Sequence, residues 1–349
     1  MEKYSPPYTI TNRMLTLIAS ISEKIGFINI KNIIDKRPHL RKNNRIKSIH
    51  SSLKIEANSL SLNEVHEIID GKLVLGDKKE IQEVKNAYDA YEMIGSIDPY
   101  DCNDLKKIHG IMTKYLIQES GVFRKGEEGV FDGDRCIFMA PPAKFVPDLM
   151  EQLFDWMKEE KDNIHPLILS SIFHYEFVFI HPFADGNGRM TRLWHTTLLS
   201  KWNKLFEYLP LESQIEKFQQ GYYSAISKCH IDGESTIFIE FMLEQINIAL
   251  DDYINQIKDN DETNSLNIKK LLDVMEYGIQ YSTIDLMSKL NLSSREGFRR
   301  NYLKPTLNGN YIRMTIPDKP NNKNQRYIRY YTNKKFRLAL FVPPRFIIL

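Results

Sequence analysis

Apolar residues recur at helical spacing through the first 95 residues. Leu17, Ile21 and Ile25 follow one another at four-residue steps, which puts them on one face of an amphipathic helix. A second run of this kind extends from residue 46 to residue 57. The pattern therefore predicts a helical N-terminal region, residues 1–95, with one of its helices at about 43–58.

Two further helices with a polar turn between them are predicted in the middle of the chain. Residues Pro166 to Ile180 are apolar on more than one side, so this helix should be buried. Asn163 can cap it, and Pro166 suits its first turn. Pro182 ends it, because proline lacks an N–H and disfavours helical conformation in the residue before it. Helical spacing resumes near Arg189.

The tail of the chain has a pattern of its own. Residues 258–264 are polar and are predicted to form a linker. The elements predicted after it are helices at about 268–275 and 283–290, a helix from the capping-box sequence at 293–296 to Pro305, and strands at 311–316 and 326–331. This order is typical of a winged helix.

These patterns together predict a mainly α protein with a β-hairpin in its middle and a C-terminal α+β domain. The hairpin is indicated by loose alternation over residues 130–140 around the turn sequence Asp132-Gly133-Asp134. We expect three parts, namely the N-terminal helical region 1–95, a helical core at 96–257 and a winged-helix domain at 265–349.

Composition limits the setting of the protein. Its 349 residues are 42% hydrophobic and 26% charged, which suits a globular chain of two or three domains. No apolar run approaches a membrane-spanning length, and the N-terminus lacks a signal-peptide pattern. The three cysteines are scattered, which suits a reducing compartment. We therefore expect a cytoplasmic protein without a membrane partner.

Charge is distributed unevenly between the predicted parts. The whole chain carries +2, but residues 265–349 hold 16 Lys+Arg against 5 Asp+Glu, a net +11, so the rest carries −9. A basic module of this kind suits DNA or another acidic partner. Packing of the module on the core, or contact with another protein, is the alternative.

The turn between the two middle helices holds chemistry that a hydrophobic core does not need. Residues 181–192 read His-Pro-Phe-Ala-Asp-Gly-Asn-Gly-Arg-Met-Thr-Arg. The glycines let backbone N–H groups face one anion at a helix N-terminus, which carries partial positive charge. Arg189 and Arg192 share a helical face and can grip phosphates. Asp185 is a suitable Mg²⁺ ligand, and His181 can act as a base near neutral pH.

These twelve residues match every specified position of HPFxDGNGRxxR and so resemble the motif of the Fic family. Fic proteins are mostly enzymes that transfer AMP from ATP to a hydroxyl side chain of a target protein, and they often form homodimers. The resemblance implies His181 as general base and Asp185 as ligand of Mg²⁺ or Mn²⁺. The implied phosphate-binding residues are Gly186, Asn187 and Gly188 at the α-phosphate and Arg189 and Arg192 at the β- and γ-phosphates.

A second resemblance lies in the N-terminal region. Ser52, Glu56 and Asn58 agree with S/T-x-x-I-E-G-N, the common form of the Fic inhibitory motif, although Ala57 replaces the usual glycine. A position before the Fic motif is the class II arrangement. The resemblance implies that Glu56 pairs with Arg192 and occupies the guanidinium that the γ-phosphate needs. The alternative is a surface glutamate on an amphipathic helix.

The same resemblance implies a docking element and an adenine site. The predicted hairpin is placed like the Fic flap, which docks a target segment by strand addition, with Ile137, Phe138 and Met139 as its edge. Tyr222 and Tyr223 stand where a tyrosine pair helps to enclose the adenine. An ordinary surface hairpin is the alternative for the flap.

Three function classes remain open from the residues. The first is an autoinhibited protein adenylyltransferase that uses ATP and Mg²⁺ on an unidentified target protein. The second is a winged-helix regulator that binds DNA and whose Fic core is a sensor or is silent. The third is a Fic enzyme that removes AMP or transfers another phosphate-linked group. The intact motif favours chemistry, because a silent site does not need His181 and both arginines.

Overall fold

The structure is a computed structural model that divides into two compact units, Met1–Ile254 and Asn255–Leu349. It describes residues 4–30, 38–132, 135–276, 278–320 and 322–329, and within these ranges it describes no side chains for 30, 38–40, 130–132, 135–137 and 256–265. The described chain is mainly helical with a small C-terminal antiparallel sheet, which confirms the predicted fold class. No described helix is long and apolar enough to span a membrane.

The first unit is built mostly from helices. In chain order these are α1 (Asn12–Ile30), α2 (Pro38–Ile55), α3 (Leu62–Ile69), α4 (Lys78–Glu92), α5 (Cys102–Met112), α6 (Val146–Glu160), α7 (Pro166–Ile180), α8 (Asn187–Trp202), α9 (Leu211–Lys217), α10 (Gln219–Asp232) and the start of α11 (Thr236–Asp273). An antiparallel hairpin, β1 (Gly129–Asp132) and β2 (Arg135–Met139), lies between α5 and α6. The predicted hairpin is therefore confirmed, while its turn residues 133 and 134 lie outside the described residues.

α7 and α8 pack against each other, and the turn between them carries the candidate site. Both helices carry fully buried large side chains, among them Phe173, Phe177 and Trp194. Burying one such side chain contributes roughly 1.5–3 kcal/mol. The two ends of the turn are thus fixed by apolar packing before any polar contact is considered.

The start of α7 differs from the prediction in its cap. Pro166 takes the first helical position as expected, but the cap is His165, whose Nδ1 accepts a hydrogen bond from Leu167 N at 3.2 Å. Asn163 instead donates its side-chain amide to Glu160 at 3.2 Å. His165 has extended ψ because it precedes proline, and this conformation suits a cap residue.

α2 packs on α4 and α9 through the apolar face predicted from the sequence. Ile46, Ile49 and Leu53 are each at most 1% exposed. Polar contacts add to this packing, since the buried Arg45 donates to Tyr91 O at 2.6 Å and pairs with Glu207 at 2.5 Å. The helix that carries the predicted inhibitory residues is therefore anchored along its length.

α11 runs without interruption through residues 258–264. The linker predicted there is therefore wrong. Polar residues lower helix propensity by less than about 0.7 kcal/mol each, so a short polar stretch continues a helix when the turns on both sides are helical. Residue type alone could not distinguish these two outcomes.

The second unit has the helix and strand order predicted for a winged helix. After α11 it contains β3 (Gln280–Tyr281), α12 (Thr283–Lys289), α13 (Arg295–Phe298), a π-type segment (Arg299–Leu303), α14 (Lys304–Asn308), β4 (Ile312–Met314) and β5 (Tyr327–Arg329). The antiparallel sheet has the order β3-β5-β4. Its core contains Leu271, Met275, Tyr281, Leu286, Phe298, Leu303, Ile312 and Tyr327.

Two details of the second unit were predicted wrongly or not at all. Pro305 was expected to end a helix, but it lies in the first turn of α14, where a missing N–H costs nothing. The two-residue strand β3 was not predicted, because two residues carry no readable alternation. The last predicted strand extends to residue 331, and residues 330 and 331 lie outside the described residues.

Candidate active site

The turn between α7 and α8 is shaped by two residues in left-handed conformation. His181 has φ 51° and ends α7, with its N–H donating to Phe177 O at 2.9 Å. Gly186 has φ 81° and precedes the first turn of α8. A side chain at Gly186 would be strained at this angle, and its Cβ would also lie 3.1 Å from Thr113 Cγ2. The first amides of α8 consequently face the inside of the turn, where no helical partner exists for them.

The Asn187 side chain is used to hold the turn together. Its Oδ1 accepts from Phe183 N at 2.9 Å, and its Nδ2 donates to Phe183 O at 2.6 Å. Phe183 is fully buried. The side chain of Asn187 thus shapes the loop, so an anion at this helix end would meet backbone N–H groups of α8 rather than this side-chain amide.

His109, on α5, supports the same turn and was not identified from the sequence. Its ring stacks on Phe183 with centroids 3.7 Å apart and 4° between the planes. Nδ1 accepts from Gly121 N at 2.9 Å, so Nε2 carries the proton and donates to Asp185 O at 3.0 Å. Burial lowers the pKa of His109 to about 4, which keeps the ring neutral. A histidine among apolar helix positions gave no signal of this long-range contact.

Arg124 joins the hairpin to the turn and was also missed. Its side chain is buried and donates to His181 O at 2.7 Å, Pro141 O at 2.6 Å and Gly126 O at 2.8 Å. Its own N–H donates to Pro182 O at 2.9 Å. One guanidinium therefore fixes the base of the flap and the end of α7 in a single position.

The His181 side chain is half-buried at the mouth of the turn. Burial lowers the pKa of its imidazole, and a hydrogen bond to the Val178 backbone only partly offsets this. A lowered pKa favours the neutral ring at neutral pH. Neutral imidazole is the form that can accept a proton from a hydroxyl group.

Asp185 is the carboxylate of the turn. It is 44% exposed, and its Oδ1 accepts from Arg189 Nη2 at 3.1 Å. The described residues contain no group of three or more His, Cys, Asp or Glu side chains that could hold a metal ion together. A single exposed carboxylate fits Mg²⁺, which commonly takes one or two protein carboxylates and completes its shell with phosphate oxygens and water.

Arg189 has buried donors that the described protein leaves unused. Its side chain is 4% exposed, and Nε and Nη1 have no hydrogen-bond partner among the described residues. The nearest carboxylate to Nη1 is Glu83 at 3.6 Å, which is beyond hydrogen-bond reach. Buried guanidinium donors require acceptors, so this geometry fits the oxygens of a bound phosphate.

Arg192 is held by the end of α2. Its Nη2 donates to Glu56 Oε1 at 2.7 Å and to Ser52 O at 2.9 Å, and its Nε donates to Ser52 Oγ at 3.1 Å. The side chain of Arg192 is 2% exposed, whereas that of Glu56 is 40% exposed. Burial would lower the pKa of Arg192, but the charge and hydrogen bond of Glu56 raise it overall.

Glu56 also covers the start of α8. A Cβ placed on Gly188 would collide with Glu56 Oε1 and would lie 3.1 Å from Arg192 Nη1. The carboxylate therefore rests against the first turn of the helix, where anions are favoured. The presence of this carboxylate indicates that the N-terminus of α8 favours negative charge. An anion from solution would be favoured at the same place.

Ala57 adopts the conformation that a glycine would favour. Its φ is 66°, and the end of α2 closes with Ala57 N donating to Lys54 O and Asn58 N donating to Leu53 O. These two bonds form a Schellman motif with Glu56 as the C-cap. The helix end is thus regular despite the alanine, at a cost of about 1 kcal/mol.

The flap residues differ in their surroundings. Phe138 stacks on His230 with centroids 4.2 Å apart, and His230 accepts or donates a 3.1 Å hydrogen bond with Tyr175. Met139 is 56% exposed. The side chain of Ile137 is not among those that the structure describes. Two neighbouring strands are paired in the described hairpin, which leaves the backbone of β2 with an outer edge.

The two tyrosines near the site are placed differently. Tyr222 is 3% exposed, and its hydroxyl lies 2.9 Å from His174 Nε2. Burial raises the pKa of Tyr222, so the hydroxyl stays protonated. Tyr223 is 51% exposed and offers a ring face to solvent. Of the pair, Tyr223 is the residue able to stack on a base.

Comparisons with known proteins agree with this architecture. Residues 99–199 match the model of the Fic/DOC family, and residues 267–329 match the C-terminal domain of Fic-like proteins, "Filamentation induced by cAMP protein Fic-like". A crystal structure of a Fic family protein from Desulfovibrio desulfuricans G20 is 42% identical and has a TM-score of 0.71, covering 95% of this chain and 100% of that one. The chain therefore belongs to the Fic family.

Curated relatives are more distant. The chain is 28% identical to the protein adenylyltransferase Fic of Culex quinquefasciatus over 219 residues, which cover 60% of this chain and 41% of that protein. It is 27% identical to the protein adenylyltransferase Fic of Drosophila yakuba over 257 residues, covering 70% and 49% respectively. The chain thus spans less than half the length of these curated relatives.

Proposed function

We propose that the protein is an autoinhibited protein adenylyltransferase that moves AMP from ATP to a hydroxyl side chain of a target protein. The observation that carries this proposal is the buried Arg189, whose unused donors lie beside Asp185 at the N-terminus of α8. A positive helix end, a buried cation and an exposed carboxylate together suit a magnesium-bound polyphosphate. The distant similarity to adenylyltransferases points to the same reaction.

The reaction follows from the roles of these groups. His181 accepts the proton of the target hydroxyl, the hydroxyl oxygen attacks the α-phosphorus, the bond to the β-phosphate breaks, and pyrophosphate leaves. The backbone of Gly186, Asn187 and Gly188 holds the α-phosphate, and Arg189 and Arg192 hold the β- and γ-phosphates. Asp185 would hold Mg²⁺ or Mn²⁺, which offsets negative charge on the phosphates.

Two further sets of residues complete the proposed site. Tyr223 stacks on the adenine. The buried ring of Tyr222 packs edge-to-face against the ring of Tyr223 and helps to hold it in position. The β2 edge, with Ile137, Phe138 and Met139, pairs with an extended segment of the target by backbone hydrogen bonds. This pairing would bring the target hydroxyl to His181.

Inhibition follows from the position of Glu56. While its carboxylate is bonded to Arg192, the guanidinium is unavailable to the γ-phosphate, and the carboxylate repels that phosphate from the α8 N-terminus. ATP then binds with its α-phosphorus turned away from the target hydroxyl. Since Ser52 holds Arg192 through two other contacts, removing Glu56 should leave the arginine in place for the nucleotide.

The reaction type is tested with ATP labelled at either the α- or the γ-phosphate. We expect the Glu56→Gly protein, mixed with cell lysate, to add α-label to protein above the level that lysate alone incorporates and to add no γ-label above that level, and we expect the Glu56→Gly/His181→Ala protein to add neither. Transfer of the γ-label alone would mean phosphoryl transfer and would overturn the proposal. Unchanged α-labelling after loss of His181 would remove its role as base.

A further inference from the structure

A basic cleft lies within the second unit, between α13 with the segment that follows it and the β4–β5 connection. Its volume is about 380 Å³. Among the described residues that line it, none is acidic and four are cationic, namely Arg295, Arg299, Lys323 and Arg326. Hydrogen bonds with Ser282 and, less strongly, the charge of Arg326 lower the pKa of Asp285, so one nearby carboxylate offsets part of this positive charge. Clustered cations still attract anions, and the cleft therefore suits a ligand with several negative charges.

A buried acceptor in the same cleft narrows the ligand chemistry. Gln325 lines the cleft and is 6% exposed. Its Nε2 donates to Arg326 O at 2.7 Å, whereas its Oε1 has no hydrogen-bond partner among the described residues. A buried acceptor without a donor costs about 1–3 kcal/mol. A ligand that carries both phosphates and N–H or O–H donors would satisfy the cations and this oxygen together.

The helix beside the cleft has one buried and one basic side. Phe298 and Leu303 enter the core of the second unit, and Arg295, Arg300 and Lys304 are exposed. Glu296 is also exposed but does not line the cleft. A short helix with basic residues at its start, followed by a hairpin, is the arrangement by which winged helices contact DNA.

We propose that this cleft binds double-stranded DNA, with its cations contacting the phosphates, α13 entering the major groove and Gln325 Oε1 accepting a hydrogen bond from an exocyclic amino group of a base. The net charge of +11 on residues 265–349 attracts the phosphates, while the −9 on the rest of the chain repels them. Binding is thus confined to the second unit. It does not depend on AMP transfer.

The test uses the full chain and a fluorescent 20-base-pair duplex of arbitrary sequence, followed by anisotropy at several salt concentrations. We expect a Kd of about 1–100 µM. For each phosphate contact, the logarithm of the affinity should fall by about 0.9 for a tenfold increase in salt concentration. Arg295→Gln/Lys323→Gln should weaken binding roughly tenfold at low salt and reduce the salt slope by about 2.

The matched control is Lys269→Gln/Lys270→Gln, which removes the same charge from exposed positions of the second unit that do not line the cleft. We expect it to weaken binding less than about twofold. Equal losses in the two double variants would reject the cleft and leave only a diffuse charge effect. Binding of ATP or inorganic phosphate to the cleft without binding of the duplex, or no duplex binding even at low salt, would also overturn the proposal.

Discussion

Single residues set the charge balance of the candidate site. Arg189 and Arg192 are both buried, but Nε and Nη2 of Arg192 donate to Ser52 and Glu56, whereas Nε and Nη1 of Arg189 have no hydrogen-bond partner among the described residues. Losing one partner of a buried pair costs several kcal/mol unless another charge takes its place. A triphosphate supplies such a charge. In the proposed mechanism, Arg192 is the arginine that Glu56 withholds from the nucleotide, and Arg189 is the arginine already open to a phosphate.

His109 gives a prediction at this scale. His109→Phe keeps a ring that can stack on Phe183 but leaves Gly121 N and Asp185 O without partners. An unpaired polar group costs up to about 1–3 kcal/mol when it is buried, and these two contacts are partly buried, so the turn should loosen. In the Glu56→Gly background we expect AMP transfer to fall roughly tenfold or more with a higher KM for ATP, measured by initial rates. Unchanged kinetics would show that the contact is only structural.

At the scale of elements, the docking of α2 decides where Glu56 lies. Its apolar face is buried against α4 and α9, and its end carries Glu56 to α8. Arg45 ties its middle to Glu207 and Tyr91. Any signal that loosens this helix would withdraw Glu56 from Arg192. In the proposed mechanism, release of inhibition therefore depends on the docking of α2 as well as on one ion pair.

Arg45→Gln tests the docking of α2. The Arg45 side chain is 8% exposed and that of Glu207 is 15% exposed, so the substitution leaves a poorly solvated carboxylate unpaired and weakens the docking. We expect basal AMP transfer to rise several-fold and to rise no further when Glu56→Gly is already present.

The control for this variant is Lys42→Gln on the same helix. It removes an exposed pair with Asp70 at 2.7 Å, which is worth at most about 1 kcal/mol. Basal activity should hardly change. A similar rise in both variants, or additivity of Arg45→Gln with Glu56→Gly, would contradict the docking account.

At the scale of the whole molecule, local signals predicted more than long-range ones. Pro182 and Gly186 set the turn between α7 and α8 by their own backbone limits, so it could be read from the sequence. The pairing of Glu56 with Arg192 was implied by motif resemblance alone. His109 and Arg124 support the turn between α7 and α8 through tertiary contacts. The spacing of residues along the chain carries no information about such contacts.

Burial of a carboxylate gives a prediction about stability and pH. Glu176 is 8% exposed and accepts from Tyr4 Oη at 2.9 Å. Burial raises its pKa from 4.5 to about 7, and the bond from Tyr4 opposes this only partly. Between pH 4.5 and about pH 7 the folded protein therefore keeps a proton on Glu176 that the unfolded chain has released. The contribution of this group to the free energy of unfolding is complete below pH 4.5 and is lost as the pH rises through about 7.

Glu176→Gln removes this titration and keeps an acceptor for Tyr4. Relative to the variant, the wild-type protein should lose roughly 2–3 kcal/mol of unfolding free energy between about pH 5 and pH 8. Urea unfolding of both proteins at the two pH values measures the difference. A stability difference that does not change with pH would contradict the raised pKa.

The most direct test of the account compares initial rates of α-label transfer by the wild-type protein and the Glu56→Gly protein at saturating ATP and Mg²⁺. If Glu56 withholds Arg192 from the γ-phosphate, the variant should be roughly 5–150-fold faster, which corresponds to a coupling of about 1–3 kcal/mol. Equal rates in the two proteins would contradict the central claim that the carboxylate at the end of α2 and the nucleotide compete for one guanidinium.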